Sequence, residues 1–251
     1  MKNIFLILTL MLSQTAIGEG RQNDDTITTE PINSSMTKVE EKVRNASVKV
    51  MINGGHGSGS LIKYKGSQFI ITANHVIDVK RAYFGMPVHV IGINQTKVAS
   101  LVYFDSTADI AVLFLPKTEY FRYTQPIKWN PTKDIPEVGT YITYSGYPSW
   151  HSLLTFRGRV AGYETSPNSG VHIILNVFGW FGSSGSVVYT DKGEIVGVLW
   201  AVDVERFPTK QVNENIVWVS PIKNLNMEIP MKIICDNYIK KIKNCEQRKQ
   251  K

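Results

Sequence analysis

Short runs of β-branched and aromatic residues, separated by Gly, Pro, Asn and Asp, cover the sequence from residue 48 to residue 222. Such runs are typical of β-strands, and the breakers between them are typical of turns. No helical pattern longer than about ten residues lies between the runs, which argues against a parallel βαβ architecture. Roughly twelve strands at this spacing indicate an all-β sandwich or a pair of barrels. The predicted strands are residues 47–52, 60–64, 68–72, 88–93, 98–104, 110–115, 141–144, 153–164, 171–177, 186–189, 195–202 and 215–219.

The N-terminus has the layout of an export signal. An apolar run at 4–12 follows Lys2, and the small residues Ala16 and Gly18 lie at the positions that a signal peptidase reads. A run of about nine residues is too short for a helix that crosses a hydrocarbon core of roughly 30 Å. We therefore expect a signal peptide at 1–18, a secreted or periplasmic location and no transmembrane helix after its removal. An uncleaved anchor is the alternative.

A polar segment rich in Thr, Asn and Ser follows the signal, and we expect residues 19–37 to form a flexible spacer. At its end, Thr37 and Glu40 have the spacing of a capping box, in which each side chain accepts a hydrogen bond from the backbone of the other residue. This pattern predicts a short helix that runs to about Arg44.

The net charge of +7 is concentrated at the C-terminus. Residues 231–251 carry seven basic and two acidic side chains and so contribute +5 of it. We therefore predict a basic C-terminal tail at 223–251 rather than a basic groove, and the protein does not require nucleic acid as a partner. The tail is interpreted as a solubilising end. The alternative is a segment that binds an anionic lipid, polymer or nucleic acid.

The two cysteines, Cys235 and Cys245, also lie in this tail. In an exported protein they would form a disulfide that closes a small loop, which is our prediction. In a reducing compartment they would be two free thiols.

Four segments carry the residue types that nucleophilic catalysis needs. A glycine-rich stretch at 54–60 is followed by Thr-Ala-Asn-His-Val at 72–76, which contains His75. The segment Ala-Asp-Ile-Ala-Val-Leu contains Asp109. Two glycine-containing stretches follow at 139–148 and 158–162. The last segment, Gly-Ser-Ser-Gly, contains Ser184 and precedes a Gly-Glu pair. Each motif alone is weakly specific. Their order of His, Asp and Ser, with gaps of 34 and 75 residues, is much more specific.

These segments resemble the chymotrypsin-fold (trypsin-like) serine proteases, most closely the HtrA/Deg-type protease domain of the bacterial envelope. The resemblance covers about residues 38–222, which we expect to be a trypsin-like serine protease domain. It implies an all-β fold, the double six-stranded antiparallel β-barrel of trypsin-like serine proteases. The residues after 222 are too few for the PDZ domain that many envelope proteases carry, so we expect none in this chain.

The chemistry of the matched residues fits a catalytic triad. A serine hydroxyl is a poor nucleophile at neutral pH and needs a base such as histidine, so Ser184 is assigned as the nucleophile and His75 as its base. Asp109 would hold the imidazole in the correct tautomer. The resemblance also implies that the backbone amides of Gly182 and Ser184 form an oxyanion hole, because the flanking glycines let the backbone turn there.

The other candidate residues and segments have less support in the sequence. The remaining histidines lack a motif context and are interpreted as structural or solvent-facing: His56, His89, His151 and His172. Asp105 competes with Asp109 for the carboxylate role, but Asp109 directly precedes the apolar strand predicted at 110–115. The stretch at 54–60 lacks the lysine of a phosphate-binding loop and is interpreted as a hairpin near the site.

Two residues beside Ser184 depart from the family pattern. Ser183 occupies the position of an Asp or Asn, and an Asp there would capture a newly formed N-terminus when a zymogen is activated. Ser183 has no charge for that ion pair, which argues against activation by that route. Ser186 occupies a position where glycine is common.

The resemblance implies that the S1 pocket is walled by residues 177–181 and 199–202. Neither stretch contains an acidic residue, and a buried cation without a partner is costly. We therefore expect a small or apolar P1 residue rather than Lys or Arg. The predicted substrate-binding residues are Phe178, Trp200, Ala201 and Val202.

The sequence predicts a serine endopeptidase that acts on polypeptides and requires no cofactor or metal. Esterase chemistry on the same triad is possible, although an α/β-hydrolase nucleophile elbow does not surround Ser184. An alternative of a different class is a catalytically silent protease-fold protein that serves as a binding or structural module. The oligomeric state is left open.

Overall fold

The computed structural model describes residues 35–52, 54–77, 82–205 and 209–237. The predicted signal peptide at 1–18 and most of the predicted spacer lie outside the described residues. Cys245 also lies outside them, so the disulfide between Cys235 and Cys245 stays a prediction. None of the helices within the described ranges is long and apolar enough to cross a membrane.

The described residues form thirteen β-strands, two α-helices and three short 3-10 helices. The strands are β1 (Ser47–Ile52), β2 (Gly55–Tyr64), β3 (Ser67–Ala73), β4 (Pro87–Gly92), β5 (Gln95–Asp105), β6 (Ile110–Leu115), β7 (Ile127–Lys128), β8 (Tyr141–Gly146), β9 (Leu154–Ser166), β10 (Gly170–Asn176), β11 (Val187–Thr190), β12 (Ile195–Glu205) and β13 (Gln211–Pro221). The helices are α1 (Lys38–Ala46) and α2 (Glu228–Asn237), and the 3-10 helices span Asn74–Ile77, Lys117–Glu119 and Ile222–Asn224.

The first six strands form a closed antiparallel barrel. Their order around it is β1, β4, β5, β6, β3 and β2, and pairing of β1 with β2 closes it. The two-residue strand β7 pairs in parallel with β2 outside this ring. All six residues of β6 are buried, which explains why its sequence is continuously apolar rather than alternating.

The second barrel is built from β8 to β13. Its strand order is β10, β13, β12, β11, β8 and β9, and it is also closed. The inward-facing aliphatic side chains of these strands form a core of their own, which includes Ile173, Leu175, Val217 and Val219. Two closed six-stranded antiparallel barrels are thus present, and the fold class predicted from the sequence is confirmed.

Small polar side chains join the two barrels. The hydroxyl groups of Ser60 and Tyr189 lie 2.8 Å apart, and the Ser47 hydroxyl donates to the carbonyl of Ser145 at 3.2 Å. Burial raises the pKa of Tyr189, so this residue stays neutral and can take part in the contact. The junction is therefore held by neutral hydrogen bonds between buried groups.

Helix α1 begins at the capping box that the sequence predicts. The Thr37 hydroxyl accepts from the Glu40 amide at 3.2 Å, and the Glu40 carboxylate accepts from the Thr37 amide at 2.6 Å. Near its end, Arg44 donates to the carbonyl of Leu153 at 2.9 Å. Because Ser47 begins β1 of the first barrel and Leu153 precedes β9 of the second, the helix links the two barrels.

The structure differs from the predicted basic tail between residues 223 and 237. Helix α2 buries Met231 and Ile234 in the same apolar cluster as the first barrel, together with Leu225 and Met227 before it. Its Glu228 contacts Tyr64 and Lys65 at the β2–β3 turn. Residues 223–237 themselves carry two basic and two acidic side chains, so the positive charge behind the predicted tail lies beyond residue 237. Residues 238–251 lie outside the described residues, and the role of the basic end stays a prediction.

The predicted strands agree with the structure in number and order, apart from β7. The bounds of β1 and β6 are reproduced, whereas β2 begins at Gly55 rather than at residue 60. The glycine-rich stretch is extended because it pairs with β1 along its whole length, from Ser60 opposite Ser47 to Gly55 opposite Ile52. Pairing thus overrides the low strand propensity of glycine.

The capping box provides a test of how much α1 contributes to stability. Replacement Thr37→Ala removes the hydroxyl that caps the Glu40 amide and should lower the free energy of unfolding by about 1 kcal/mol. Lys38→Ala, a change at the adjacent exposed helical position, should alter it by less than about 0.5 kcal/mol. Urea denaturation of both variants measures the difference, and equal values would contradict a capping role.

Candidate active site

His75 and Asp109 are brought together by the pairing of β3 with β6. Ala73, the last residue of β3, lies opposite Ile110, the first residue of β6. Because the strands are antiparallel, the residues that follow β3 lie beside the residue that precedes β6. The Asp109 carboxylate accepts from the His75 amide at 2.8 Å and from Nδ1 of the His75 ring at 2.6 Å.

The backbone of Asp109 is strained into this position. Its φ is +51°, a left-handed conformation that non-glycine residues seldom adopt. Its carbonyl accepts from the Asn74 amide at 3.1 Å, which helps to hold it. The carboxylate is sheltered, with 17% of the side chain exposed, whereas the His75 side chain is 40% exposed. One edge of the imidazole is therefore bound and the other is accessible.

Asp105, the competing carboxylate, has a different role. Its Oδ1 accepts from the amides of Thr107 and Ala108 at 2.8 and 3.0 Å, and so it caps the turn between β5 and β6. This contact is local, within three residues of Asp105. The carboxylate that contacts His75 is therefore Asp109.

Ser184 lies beside the 3-10 helix that carries His75. Its carbonyl accepts from the Ser58 amide at 2.7 Å. A Cβ atom added to Gly57 would lie 2.5 Å from Val76 and 2.9 Å from the Ser184 carbonyl, so this glycine is wedged between the two segments. The close packing of Val76 and of the Ser184 carbonyl around residue 57 therefore depends on the absence of a side chain there.

The Ser184 hydroxyl donates to the carbonyl of Trp200 at 3.5 Å. Within the part of the chain that the structure describes, it makes no hydrogen bond to His75. A catalytic hydrogen bond of this kind is often long or poorly aligned before substrate binds. Rotation of the Ser184 side chain about χ1 is the movement that would redirect its hydroxyl.

The backbone amides of Gly182 and Ser184 have no hydrogen-bond acceptor among the described residues. Gly182 and Gly185 both have positive φ, +94° and +89°. A Cβ atom on Gly182 would lie 2.4 Å from the carbonyl of Tyr147, and one on Gly185 would lie 2.1 Å from that of Ser58. Both positions therefore require glycine for conformation and for space, and the two amides remain available to a ligand.

The two departures from the family pattern are accommodated by packing. Ser183 is fully buried, and its hydroxyl accepts from the Trp180 amide at 3.4 Å. Ser186 is also fully buried, and a Cβ atom on Gly146 would lie 2.2 Å from its hydroxyl oxygen. Glycine at 146 on β8 thus leaves the space that the Ser186 side chain fills. The sequence alone does not connect Gly146 with Ser186, because 40 residues separate them in the chain.

The four predicted substrate-binding residues do not contribute alike. The Trp200 carbonyl faces Ser184, but its ring packs against His172 and Trp218, with centroids 5.1 and 6.1 Å away. Trp200 is the extra residue of a bulge in the pairing of β12 with β13, which turns the ring outward. The Trp200 ring therefore belongs to an aromatic cluster, and its role as a wall of the S1 pocket stays a prediction.

The other three predicted substrate-binding residues, Phe178, Ala201 and Val202, have apolar neighbours. The Phe178 ring packs on Phe156 with centroids 5.2 Å apart. A Cβ atom on Gly179 would lie 2.6 Å from Val217 and 3.1 Å from Val202, so aliphatic side chains fill the space beside this glycine. Ala201 lies opposite Trp218 in the ladder between β12 and β13. The surroundings of Gly179 are apolar and leave little room.

His56 lies much closer to the site than the sequence suggests. Its Nε2 donates to the carbonyl of Tyr147 at 3.0 Å, and its ring packs on Trp150 with centroids 4.5 Å apart. Burial lowers its pKa, as does the charge of Lys49, although the hydrogen bond to Tyr147 opposes the shift. His56 is therefore a neutral packing residue beside Gly182. The only sequence signal for this location is its place in the glycine-rich stretch.

The other histidines remain structural or exposed, as expected. His172 is buried, its Nε2 lies 2.7 Å from the Ser169 hydroxyl, and burial lowers its pKa. His89 and His151 are exposed. No group of three or more His, Cys, Asp or Glu side chains within the described ranges could hold a metal ion.

Solved structures with a similar fold are proteases. The inactive form of a serine-to-alanine mutant of Rv3671c from M. tuberculosis has a TM-score of 0.61 and 16% sequence identity, with 80% of this chain and 93% of that chain covered. The active form of the Rv3671c protease has a TM-score of 0.59 and 16% identity, with coverage of 76% and 84%. At these identities the likeness concerns the fold.

No curated protein sequence matches the chain. The family model of the trypsin-like peptidase domain matches residues 57–198, which is more than half of the chain. This segment contains His75, Asp109 and Ser184, together with Gly182 and Gly185 before and after Ser184. The chain therefore belongs to the trypsin-like peptidase domain family.

Proposed function

We propose that this protein is an exported serine endopeptidase that hydrolyses peptide bonds through His75, Asp109 and Ser184. The observation that carries the proposal is the double contact of Asp109, whose carboxylate accepts from both the amide and the ring Nδ1 of His75. This contact fixes the imidazole as the Nδ1–H tautomer and leaves the lone pair of Nε2 available as a base. The exported location rests on the signal sequence predicted at 1–18.

In the first half of the reaction, the Ser184 hydroxyl leaves the Trp200 carbonyl and turns towards Nε2 of His75. His75 takes the hydroxyl proton while Ser184 Oγ attacks the carbonyl carbon of the substrate, which gives a tetrahedral intermediate. The negative charge on its oxygen is stabilised by the amides of Gly182 and Ser184. Asp109 stays ionised and stabilises the imidazolium.

In the second half, the imidazolium of His75 gives its proton to the leaving amine as the C–N bond breaks, and the acyl group remains on Ser184. A water molecule then loses a proton to His75 and attacks the ester carbon. The proton returns to Ser184 Oγ when the acid product leaves. The reaction consumes one water per peptide bond and requires no cofactor.

The surroundings of Gly179 favour a substrate with a small apolar side chain at P1. Val202 and Val217 fill the space beside Gly179, and residues 177–181 contain no acidic side chain that could pair with Lys or Arg. A cationic P1 side chain would be desolvated there without a partner, and a large ring would overlap the valines. Backbone pairing along an exposed strand edge would supply the remaining affinity for an extended polypeptide.

A catalytically silent binding protein is the second candidate function. The observation that favours it is the hydrogen bond from the Ser184 hydroxyl to the Trp200 carbonyl, which points the hydroxyl away from His75. The two candidates differ in one property, the nucleophilicity of Ser184.

Labelling of Ser184 separates the candidates. We expect a fluorophosphonate probe to label the purified protein, and Ser184→Ala to abolish both the labelling and the hydrolysis of casein, with a loss of activity of about 10⁴- to 10⁶-fold. The readout is gel fluorescence of the labelled protein beside the release of casein peptides. A wild-type protein that is folded but neither labelled nor active would support the silent alternative.

Replacement of Asp109 tests the double contact. Asp109→Asn leaves one oxygen for two N–H donors, so His75 adopts the tautomer that cannot accept the Ser184 proton, and kcat should fall by about 10⁴-fold. Asp105→Asn is the matched control, because the amide oxygen can still accept from the turn, and its kcat should stay within about threefold of wild type. Steady-state hydrolysis of a peptide substrate measures both. Equal activities of the two variants would contradict the role of Asp109.

A peptide series that varies only at P1 tests the apolar surroundings of Gly179. We expect kcat/KM to be higher for Ala and Val than for Phe, and lowest for Lys and Arg. Val217→Ala removes the side chain nearest Gly179 and should raise the ratio of Leu to Ala cleavage about 10-fold, the effect of one or two buried methylenes. Val219→Ala, equally buried on the same strand, should leave this ratio unchanged. A preference of the wild type for Arg or Lys would refute the proposal.

A further inference from the structure

Every carbonyl group from Phe181 to Ser184 accepts a hydrogen bond. The distances lie between 2.5 and 3.0 Å, and three of the four donors are backbone amides. The pairs, acceptor first, are Phe181 with the Ser149 amide, Gly182 with the Ser58 hydroxyl, Ser183 with the Ser186 amide and Ser184 with the Ser58 amide.

These contacts fix the direction of the two amides that form the proposed oxyanion hole. A peptide unit is planar and trans, so its N–H points away from its C=O. The Gly182 amide belongs to the same peptide unit as the Phe181 carbonyl, and the Ser184 amide belongs to that of the Ser183 carbonyl. Because these carbonyls are bound, the two amides face the opposite side, where no acceptor lies among the described residues.

Gly182 differs from the other three residues, because its carbonyl is held by a side chain. The Ser58 hydroxyl donates to this carbonyl at 2.7 Å and accepts from the Tyr147 amide at 2.9 Å. Ser58 is fully buried, so bulk water does not reach its hydroxyl to replace either hydrogen-bond partner. The peptide unit that it holds, Gly182–Ser183, is the one between the two oxyanion-hole amides.

The same hydroxyl also binds the segment that carries the Ser149 amide. The Tyr147 carbonyl of this segment accepts from His56, and Ser149 has a φ of +52°, a left-handed backbone for which a non-glycine residue needs support. Ser58 is therefore a bridge between the loop 147–149 and the loop 181–184. Ser183 is uncharged and buried, and so the ion pair that an aspartate at this position could form is not available to hold the second loop.

We propose that Ser58 is a positioning residue that preorganises the oxyanion hole through its hydroxyl, in the place of an ion pair at residue 183. This inference rests on the serine protease chemistry proposed above. Ser58 does not touch the reacting atoms. We expect it to act mainly on the transition state, because the negative charge that the two amides stabilise develops only there.

The test compares Ser58→Ala with Ser60→Ala in the full-length protein. Ser60 lies two residues along β2, is buried to the same degree and also loses a hydroxyl hydrogen bond, the one to Tyr189. For Ser58→Ala we expect kcat to fall about 10- to 100-fold, less than the loss of a whole oxyanion donor, and KM to stay within about twofold. The affinity for a peptide aldehyde, whose adduct with Ser184 carries the oxyanion, should fall by the same factor as kcat/KM.

Ser60→Ala should keep kcat and the aldehyde affinity within about threefold of wild type. If Ser58→Ala does not fold, Ser58→Cys decides instead, since a thiol keeps a weak donor and acceptor and should give an intermediate kcat. The inference is overturned if the folded Ser58 variant retains wild-type kcat, if KM alone changes, or if Ser60→Ala loses as much. If only this inference fails, the fluorophosphonate probe still labels Ser184 of the wild type. If the proposed function fails, the wild type is not labelled.

Discussion

The antiparallel pairing of β3 with β6 is the constraint on which the site depends. With Ala73 opposite Ile110, His75 and Asp109 lie at the same end of the ladder, although 34 residues separate them in the chain. The carboxylate can then accept two N–H groups of one residue, which fixes both the backbone and the ring of His75. A shift of one residue in the register would turn Asp109 to the other face and remove both contacts.

The loop that carries Ser184 is held against its neighbours by close packing at glycines rather than by a ladder. Gly57, Gly182 and Gly185 each lie where a Cβ atom would be less than 3 Å from a neighbouring segment, and Gly146 makes room for Ser186 in the same way. Interiors are packed so densely that such contacts cannot be relieved without moving backbone. Gly57 of the glycine-rich stretch therefore serves close packing between the two barrels, and the extended conformation of the stretch follows from the pairing of β2 with β1.

The sequence predicts the fold class, most strands and the contact of His75 with Asp109, because each depends on a local pattern or on a motif. It does not predict that the Trp200 ring turns outward, since a bulge depends on how two strands pair. It also misses α2, because this short segment carries only one basic residue but adjoins the strongly basic residues after 237, whose charge dominates the pattern. The nearness of His56 to Gly182 arises from contacts across the barrel junction, and the place of His56 in the glycine-rich stretch is the only sequence signal for it.

The loop around Ser184 is held by neutral hydrogen bonds, and this has a consequence for how the site is formed. A buried carboxylate at residue 183 would need a cationic partner, because the desolvation of an unpaired charge costs several kcal/mol. A hydroxyl needs only one donor or acceptor nearby, and each neutral hydrogen bond contributes about 1 kcal/mol. Because four carbonyls are bound in succession, a flip of any one peptide breaks a hydrogen bond. We therefore expect the loop to be ordered by the folded barrels themselves, without an ion pair to a newly formed N-terminus.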